Sequence, residues 1–300
     1  MEWRITAWPR LEERIAAAGP DRAARRAGPR AGGGPRARMM SLTVQPLWLL
    51  GSMLIGVAAV VAMAGPVIVR RRVRLDRLSV NNEIAGLKFG TVGGLYAVLL
   101  AFAIIIVWGK FSEAESAAAQ EAAAAATLYR LADGIAGEPG AALRDHLTRY
   151  AQTVIADDWP AMEQGRGSKA TTRALDATYG ALLTFSPRDN RGSALLAEGL
   201  HQLDLVTQAR RARITLASGI VPGVLWFVLV GGAVLTVGFT LFFGAENLRV
   251  QAAMTGVLTV LICSGLFVVV AIDHPFAGSV KVGPKALSVV LEDFAAPDGQ

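Results

Sequence analysis

Polar and charged side chains gather at four places in this 300-residue chain, and each offers a different chemistry. Asn81, Asn82 and Glu83, with Gly86, stand at the entry to an apolar run. They can cap a helix, with Glu83 favoured by the helix dipole, or form a polar ring at a pore mouth. Asp157, Asp158, Trp159 and Pro160 form a second cluster. Proline explains a helix stop there, and the aspartate pair beside a tryptophan reads as a structural anchor. Arg210, Arg211 and Arg213 form a third, read as a solvated or lipid-facing helix end. Asp273, His274, Pro275 and Phe276, with Gly278, close another apolar run and read as an interfacial stop and turn.

The usual catalytic patterns are missing. The chain has no GxxxxGK loop, no HExxH and no GxSxG. Its three histidines, His146, His201 and His274, are far apart in sequence, and none stands at ligand spacing from the single cysteine, Cys263. Cys263 lies within an apolar run, where it reads as a small packing residue. The expectation is no enzyme, no cofactor and no metal.

The elements that must position these clusters are apolar. Four runs, 47–69, 84–108, 219–243 and 250–272, are each 23 to 25 residues long. About 20 helical residues cross the hydrocarbon core of a bilayer. Lys88 is the ionisable residue among them, near a span end where a lysine can snorkel. Hydrophobic residues make up 53% of the chain, and the mean hydropathy is +0.41, as four spans require. The fold class expected is all-α: four transmembrane helices in two hairpins, with a helical extramembrane segment between the second and third. The divisions are 1–39, 40–108, 109–218, 219–272 and a C-terminal tail, 273–300. The lipid bilayer is the partner implied, and a multi-pass protein of the cell inner membrane is expected.

A pI near 9.9 does not signal nucleic acid, and no nucleic-acid partner is expected. Residues 1–39 hold nine arginines against four acids, so the tail carries +5 of the formal +6. That tail is low in complexity and reads as disordered. Its alternative reading is a basic arm on anionic lipid. A start at Met39 or Met40 is expected instead. Such a start removes a conflict, because Arg70, Arg71, Arg72, Arg74 and Arg77 crowd the loop after the first run. Short arginine-rich loops stay in the cytoplasm, which places 109–218 outside.

The middle segment reads as helical. No proline or turn cluster separates the second span from the alanine-rich stretch 112–135, so one helix of about 50 residues is expected, near 75 Å long. Glu113, Glu115 and Glu121 mark its polar side. The alanines, Ala118, Ala122 and Ala125 among them, place this helix at an oligomer axis, or else they face helices of the same chain. Further helices are expected around Leu143, Leu147 and Tyr150, after Ser168 as an N-cap, and around Leu200, Leu203 and Val206. Gly90, Gly93 and Tyr96 in the second span, and Pro222 and Trp226 at the third, complete the candidate pore or structural positions.

The stretch NNEIAGLKFGTVGGLYAVLLAF, the later DDWPAM, the RRARI segment before Pro222–Trp226, and IDHPFAG together resemble a bacterial family of bestrophin-like membrane proteins. Their order and spacing cover 47–291. The family normally reads Asp-Arg-Pro-Phe where this chain has Asp273-His274-Pro275-Phe276. The resemblance implies four spans, a helical domain between the second and third, a pentamer, and second helices lining an ion pathway with an apolar neck. It does not imply calcium gating, because no acidic cluster follows residue 272. It also implies a cytoplasmic middle domain, opposite to the arginine-loop reading. An oligomeric ion channel is the function expected, and the alternative is a membrane-anchored sensor or scaffold whose helical domain binds a partner.

Overall fold

The computed structural model describes residues 47–75, 78 and 82–295. The 1–39 tail, Asn81 and Arg77 lie outside the described residues. Every regular element among those described is helical.

Helix α1 (Leu47–Arg72) is apolar until it ends on three arginines. Helix α2 (Asn82–Asp133) runs 52 residues without a break, about 78 Å at 1.5 Å per residue. It holds no proline, and its glycines fall singly or as one pair, so nothing interrupts its hydrogen-bond ladder. Lys88 and Lys110 bracket its apolar part. They are 22 residues, or about 33 Å, apart, close to the 30 Å of a bilayer core.

Gly137, at φ 81°, makes the reversal into α3 (Glu138–Thr153), with Pro139 in the first turn. The expected stop at residues 157–160 is instead a π-turn, Val154–Asp158, that runs on into α4 (Trp159–Met162). Pro160 has no N–H and would crowd the carbonyl four residues back. Widening the turn lets the helix pass it. Ser168 caps α5 (Lys169–Leu183) by accepting from the Ala170 N–H at 3.1 Å. Asp189 caps α6 (Asn190–Ala217) through the Gly192 N–H. Pro222 precedes α7 (Gly223–Phe239), which tightens to a 3₁₀ turn at Thr240–Phe242. Asn247 caps α8 (Leu248–Ile272), and α9 (Lys285–Ala295) is the last element described.

Four helices are long and apolar enough to cross a membrane: α1, α2, α7 with its 3₁₀ turn, and α8. α1 lies along α8, while α2 rests on α7 and α8. Small residues set these contacts. A Cβ at Gly51 would run into the Phe267 ring, and one at Gly232 would meet the Tyr96 ring at 2.6 Å. Gly265 faces Leu100, and Gly256 faces Met63, in the same way. Without a hydrophobic drive between spans, such close approach supplies the packing.

Beyond the membrane-length part, α2 joins α3, α5, α6 and α9 around a second core, which includes Leu128, Leu143, Tyr150, Trp159, Leu182 and Leu203. Ala118, Ala122 and Ala125 are buried here against helices of the same chain, so the second of the two alanine readings holds for them. Residues after 273, set apart as a tail from the sequence, fold back onto this body. Phe276 and Leu287 are fully buried in it. The Phe294 ring stacks on Tyr129 at 3.9 Å.

Candidate functional site

Of the three arginines near the end of α6, Arg211 is exposed, but Arg210 and Arg213 do not face water or lipid. Arg213 is fully enclosed and Arg210 nearly so. This corrects the surface reading for Arg210 and Arg213, and the cause is charge pairing. Arg210 donates Nε to Asp158 Oδ2 at 2.8 Å and Nη2 to Oδ1 at 3.1 Å. Its Nη2 also reaches the Ser168 carbonyl at 3.1 Å. Arg213 forks onto Glu121 of α2, Nη2 donating to Oε1 at 2.8 Å and Nε donating to Oε2. Its second carboxylate neighbour is Asp158, 3.6 Å away. Tyr150 donates its hydroxyl to Glu121 Oε1 at 2.7 Å. Two carboxylates thus meet two guanidiniums, and a buried charge has a partner on every side.

The π-turn gives Asp158 its place. It carries the carboxylate inward, where Oδ1 also accepts the Ser168 N–H at 2.6 Å. Trp159 roofs the network. The Arg213 guanidinium lies 4.5 Å from its ring centroid. The indole N–H donates to the Val282 carbonyl at 3.1 Å, and Phe276 meets the ring edge-on. Burial raises the Tyr150 pKa well above its ordinary value, and the Glu121 charge adds to that. Burial works to lower Arg210, but the hydrogen bond and charge of Asp158 outweigh it and hold the pKa up. A neutral phenol and a fixed cation result. The network is sealed, so it can hold helices together but cannot receive a substrate.

The fourth cluster is a fastening. Asp273 ends α8 and accepts the Ile220 and Val221 N–H groups on Oδ1, at 3.1 and 2.8 Å. It therefore fixes the crossing from α6 to α7, just before Pro222. Trp226 packs partly buried in the apolar cluster behind it. His274 lies over Gly219, whose φ is 97°, and its Nδ1 stands 3.3 Å from Asp273 Oδ2. The Pro275 carbonyl accepts from Val282 at 2.7 Å, and Gly278 takes φ 83° in the turn between them.

The first cluster lies apart. From Asn82 to Glu121 is 39 residues, about 58 Å along α2. Asn82 exchanges two hydrogen bonds with the Gly244 backbone, at 2.7 and 2.9 Å, so its side chain ties α2 to the α7–α8 connection. Arg70 grips the Ala245 carbonyl of the same connection at 2.6 Å. Glu83 is exposed in the first turn of α2, and Gly86 faces the Phe243 ring. Tyr96 turns inward and donates to the Leu229 carbonyl at 3.1 Å. Gly90 and Gly93 border an apolar cavity of about 630 Å³ between α2 and α8. Among the described residues, no group of three or more His, Cys, Asp or Glu side chains is placed to hold a metal ion.

The sequence puts Glu121 on a polar side and Tyr150 on an apolar stripe and gives neither a place in a site, whereas both are fully buried in the network. Glu121 had a signal: it shares a helical stripe with Ala114, Ala118 and Ala125, all buried.

A family model described as Bestrophin-like domain matches residues 56–287. A crystal structure of a bacterial bestrophin homolog from Klebsiella pneumoniae, carrying a point mutation, is similar at a TM-score of 0.63 and 16% identity, over 82% of this chain and 99% of that one. A second mutant of that homolog matches at 0.63 and 13% identity, over 81% and 99%. Its zinc-phased form matches at 0.59 and 15% identity, over 82% and 96%. At these identities the likeness is one of fold. No curated protein matches the chain.

Proposed function

The chain belongs to the bestrophin-like family, and we propose that it assembles as a homo-oligomer, a pentamer by family resemblance, around an ion conduit lined by α2. One observation carries this reading. A single face of α2 stays unpacked by its own chain along almost the whole helix. Within the span it presents Leu95, Val98, Phe102 and Ile105, and beyond it Ser116, Gln120, Ala123 and Thr127. Steps of three and four keep these residues on one side. A face that is apolar in the membrane and mostly polar in water, with Glu113 and Arg130 at its two ends there, suits a shared axis, with an apolar neck continued by a polar vestibule. Asn82 and Glu83 stand at its entry, Lys110 and Glu113 pair at 2.6 Å where it leaves the bilayer, and the sealed ion-pair network holds the lining helix to the body.

The topology proposed is two hairpins, 40–108 and 219–272, in the inner membrane, with the 109–218 helical domain outside and Arg70–Arg74 inside. Arg210 and Arg213 add no opposing topological signal, since their charges are paired and buried. The role is not enzymatic, because the charged groups that converge are enclosed. The test is purified protein in a planar bilayer, where single-channel currents are expected. Cysteine at Gln120, in a Cys263→Ala background, should cross-link neighbouring copies, whereas cysteine at Ala122 should not. A monomer by native mass spectrometry would end this reading. Cysteine at Asp176 should react with an impermeant thiol reagent in whole cells, and labelling only after lysis reverses the orientation.

The second reading is a membrane-anchored scaffold. A groove of about 520 Å³ between α2 and α6 favours it, lined by Gln120, Thr127, Gln202, Leu205 and Gln208 without a charged side chain. A channel-silent protein that still forms oligomers would support that reading.

A further inference from the structure

We infer that the cavity beneath the α7–α8 connection is a binding site for one anionic phospholipid, whose headgroup supplies a hydrogen-bond donor. Two features meet in the cavity, and a third flanks it at the level of its polar end. The cavity, about 460 Å³, has a wall of Phe89, Phe243, Met254 and Leu258 and a polar end that includes Asn82 and Gln251. Met254 is 68% exposed on the lipid-facing side of α8, so the wall continues onto the surface that meets the bilayer. An acyl chain fits such a wall.

The second feature is Gln251. It is only 7% exposed and is fixed by its Nε2, which donates to the Phe243 carbonyl. Its Oε1 finds no donor on the protein among the described residues. A buried acceptor left unpaired is costly, and a donor brought by a ligand removes that cost. A glycerol hydroxyl is such a donor.

The third feature is charge. Gly51 opposite Phe267 and Gly256 opposite Met63 set α1 antiparallel to α8. This pairing brings the last turn of α1 level with the first turn of α8. Arg70 is occupied by the Ala245 and Glu246 carbonyls, which secures that turn to the cavity roof. Arg71, Arg72 and Arg249 remain exposed at the same level. Guanidiniums at the water boundary suit a phosphate. Chain, phosphate and donor together describe phosphatidylglycerol better than a soluble anion, which would leave the apolar wall empty. A zwitterionic lipid would leave the arginines uncompensated. This inference depends only on the chain's being embedded in a membrane and stands whether or not the assembly conducts.

The test is native mass spectrometry of the full-length protein in detergent with added phosphatidylglycerol. One lipid per protomer is expected, and inorganic phosphate or phosphatidylcholine should not compete for it. Gln251→Leu should weaken retention about fivefold, the equivalent of one hydrogen bond. Met254→Trp, at an exposed position that tolerates bulk, should fill the cavity and abolish retention while the melting temperature holds. Arg71→Gln with Arg72→Gln should remove the preference for anionic lipid. No adduct on the unmodified protein, equal binding of phosphatidylcholine, or an unchanged adduct in Met254→Trp would each overturn the site. If Gln251→Leu fails to fold, Met254→Trp alone decides.

Discussion

The two halves of α2 bury their surfaces by opposite means. In the membrane half, contact is steric: Tyr96 fits over Gly232, Leu100 over Gly265, and no charge takes part. In the half beyond it, alanines let helices close around Glu121, and the specificity lies in one carboxylate meeting one guanidinium. The difference teaches what each medium allows. Lipid supplies no hydrophobic drive and no counter-charge, so shape decides there. Water supplies the drive freely, and a buried ion pair then selects one register, because any other leaves a charge unpaired.

The strongest way to break this contrast is to unpair the body. Glu121→Ala leaves Arg213 enclosed with half its partners, and should cost about 3–5 kcal/mol. The loss should appear as an early melt of the purified protein in detergent. Glu121→Leu combined with Arg213→Met should recover much of it, because the desolvated charges go together. A double variant no more stable than either single one would mean that packing, and not charge, sets the register.

A smaller effect is expected in the spans. Gly232→Ala puts a methyl group 2.6 Å from the Tyr96 ring, and overpacking of this kind costs about 1–3 kcal/mol. Its neighbour Gly231 has nothing within 4 Å of the same methyl position. Gly231→Ala should therefore be neutral or slightly stabilising, and the two melts side by side isolate shape from composition. Equal effects would remove the steric account.

Alkali should separate the halves. The Tyr150 pKa is raised in the folded protein, so its stabilising share is complete below the ordinary value near 10 and falls as pH rises beyond it. Melting between pH 9 and 11 should shift down, and Tyr150→Phe should flatten that slope. The smallest change is Tyr96→Phe, which removes one hydrogen bond to Leu229 inside the membrane half. A loss of about 0.6 kcal/mol is expected by equilibrium unfolding in detergent.

The sequence carried this contrast unevenly. The spans were legible because a bilayer demands length and apolarity, both local properties. The continuity of α2 was legible from the lack of any breaker between Phe89 and Asp133, and the Ser168 cap from residue type. The network was not, since its partners stand 92 and 52 positions apart and Arg213 looks like any arginine near a membrane surface. Asn82 was read as a cap or a pore residue, and neither reading anticipates its contact, because its partner, Gly244, is 162 positions away. The chain after residue 273 was read as a tail, although Leu287, Val290 and Phe294 recur there at helical spacing. Phe276 and Leu287 are enclosed, since they complete a core whose other members precede the third span.

That late completion has a consequence for how the protein is made. Phe276, Val282 and Leu287 leave the ribosome after the last span, yet they close a core begun by α2 and α3. Until then Trp159 has no Val282 carbonyl to bind, and its ring lacks Phe276 at its edge. The body can therefore finish folding only on a chain that has threaded all its spans. A truncated or misinserted copy keeps an open, apolar wound that proteases can find, so the molecule certifies its own insertion.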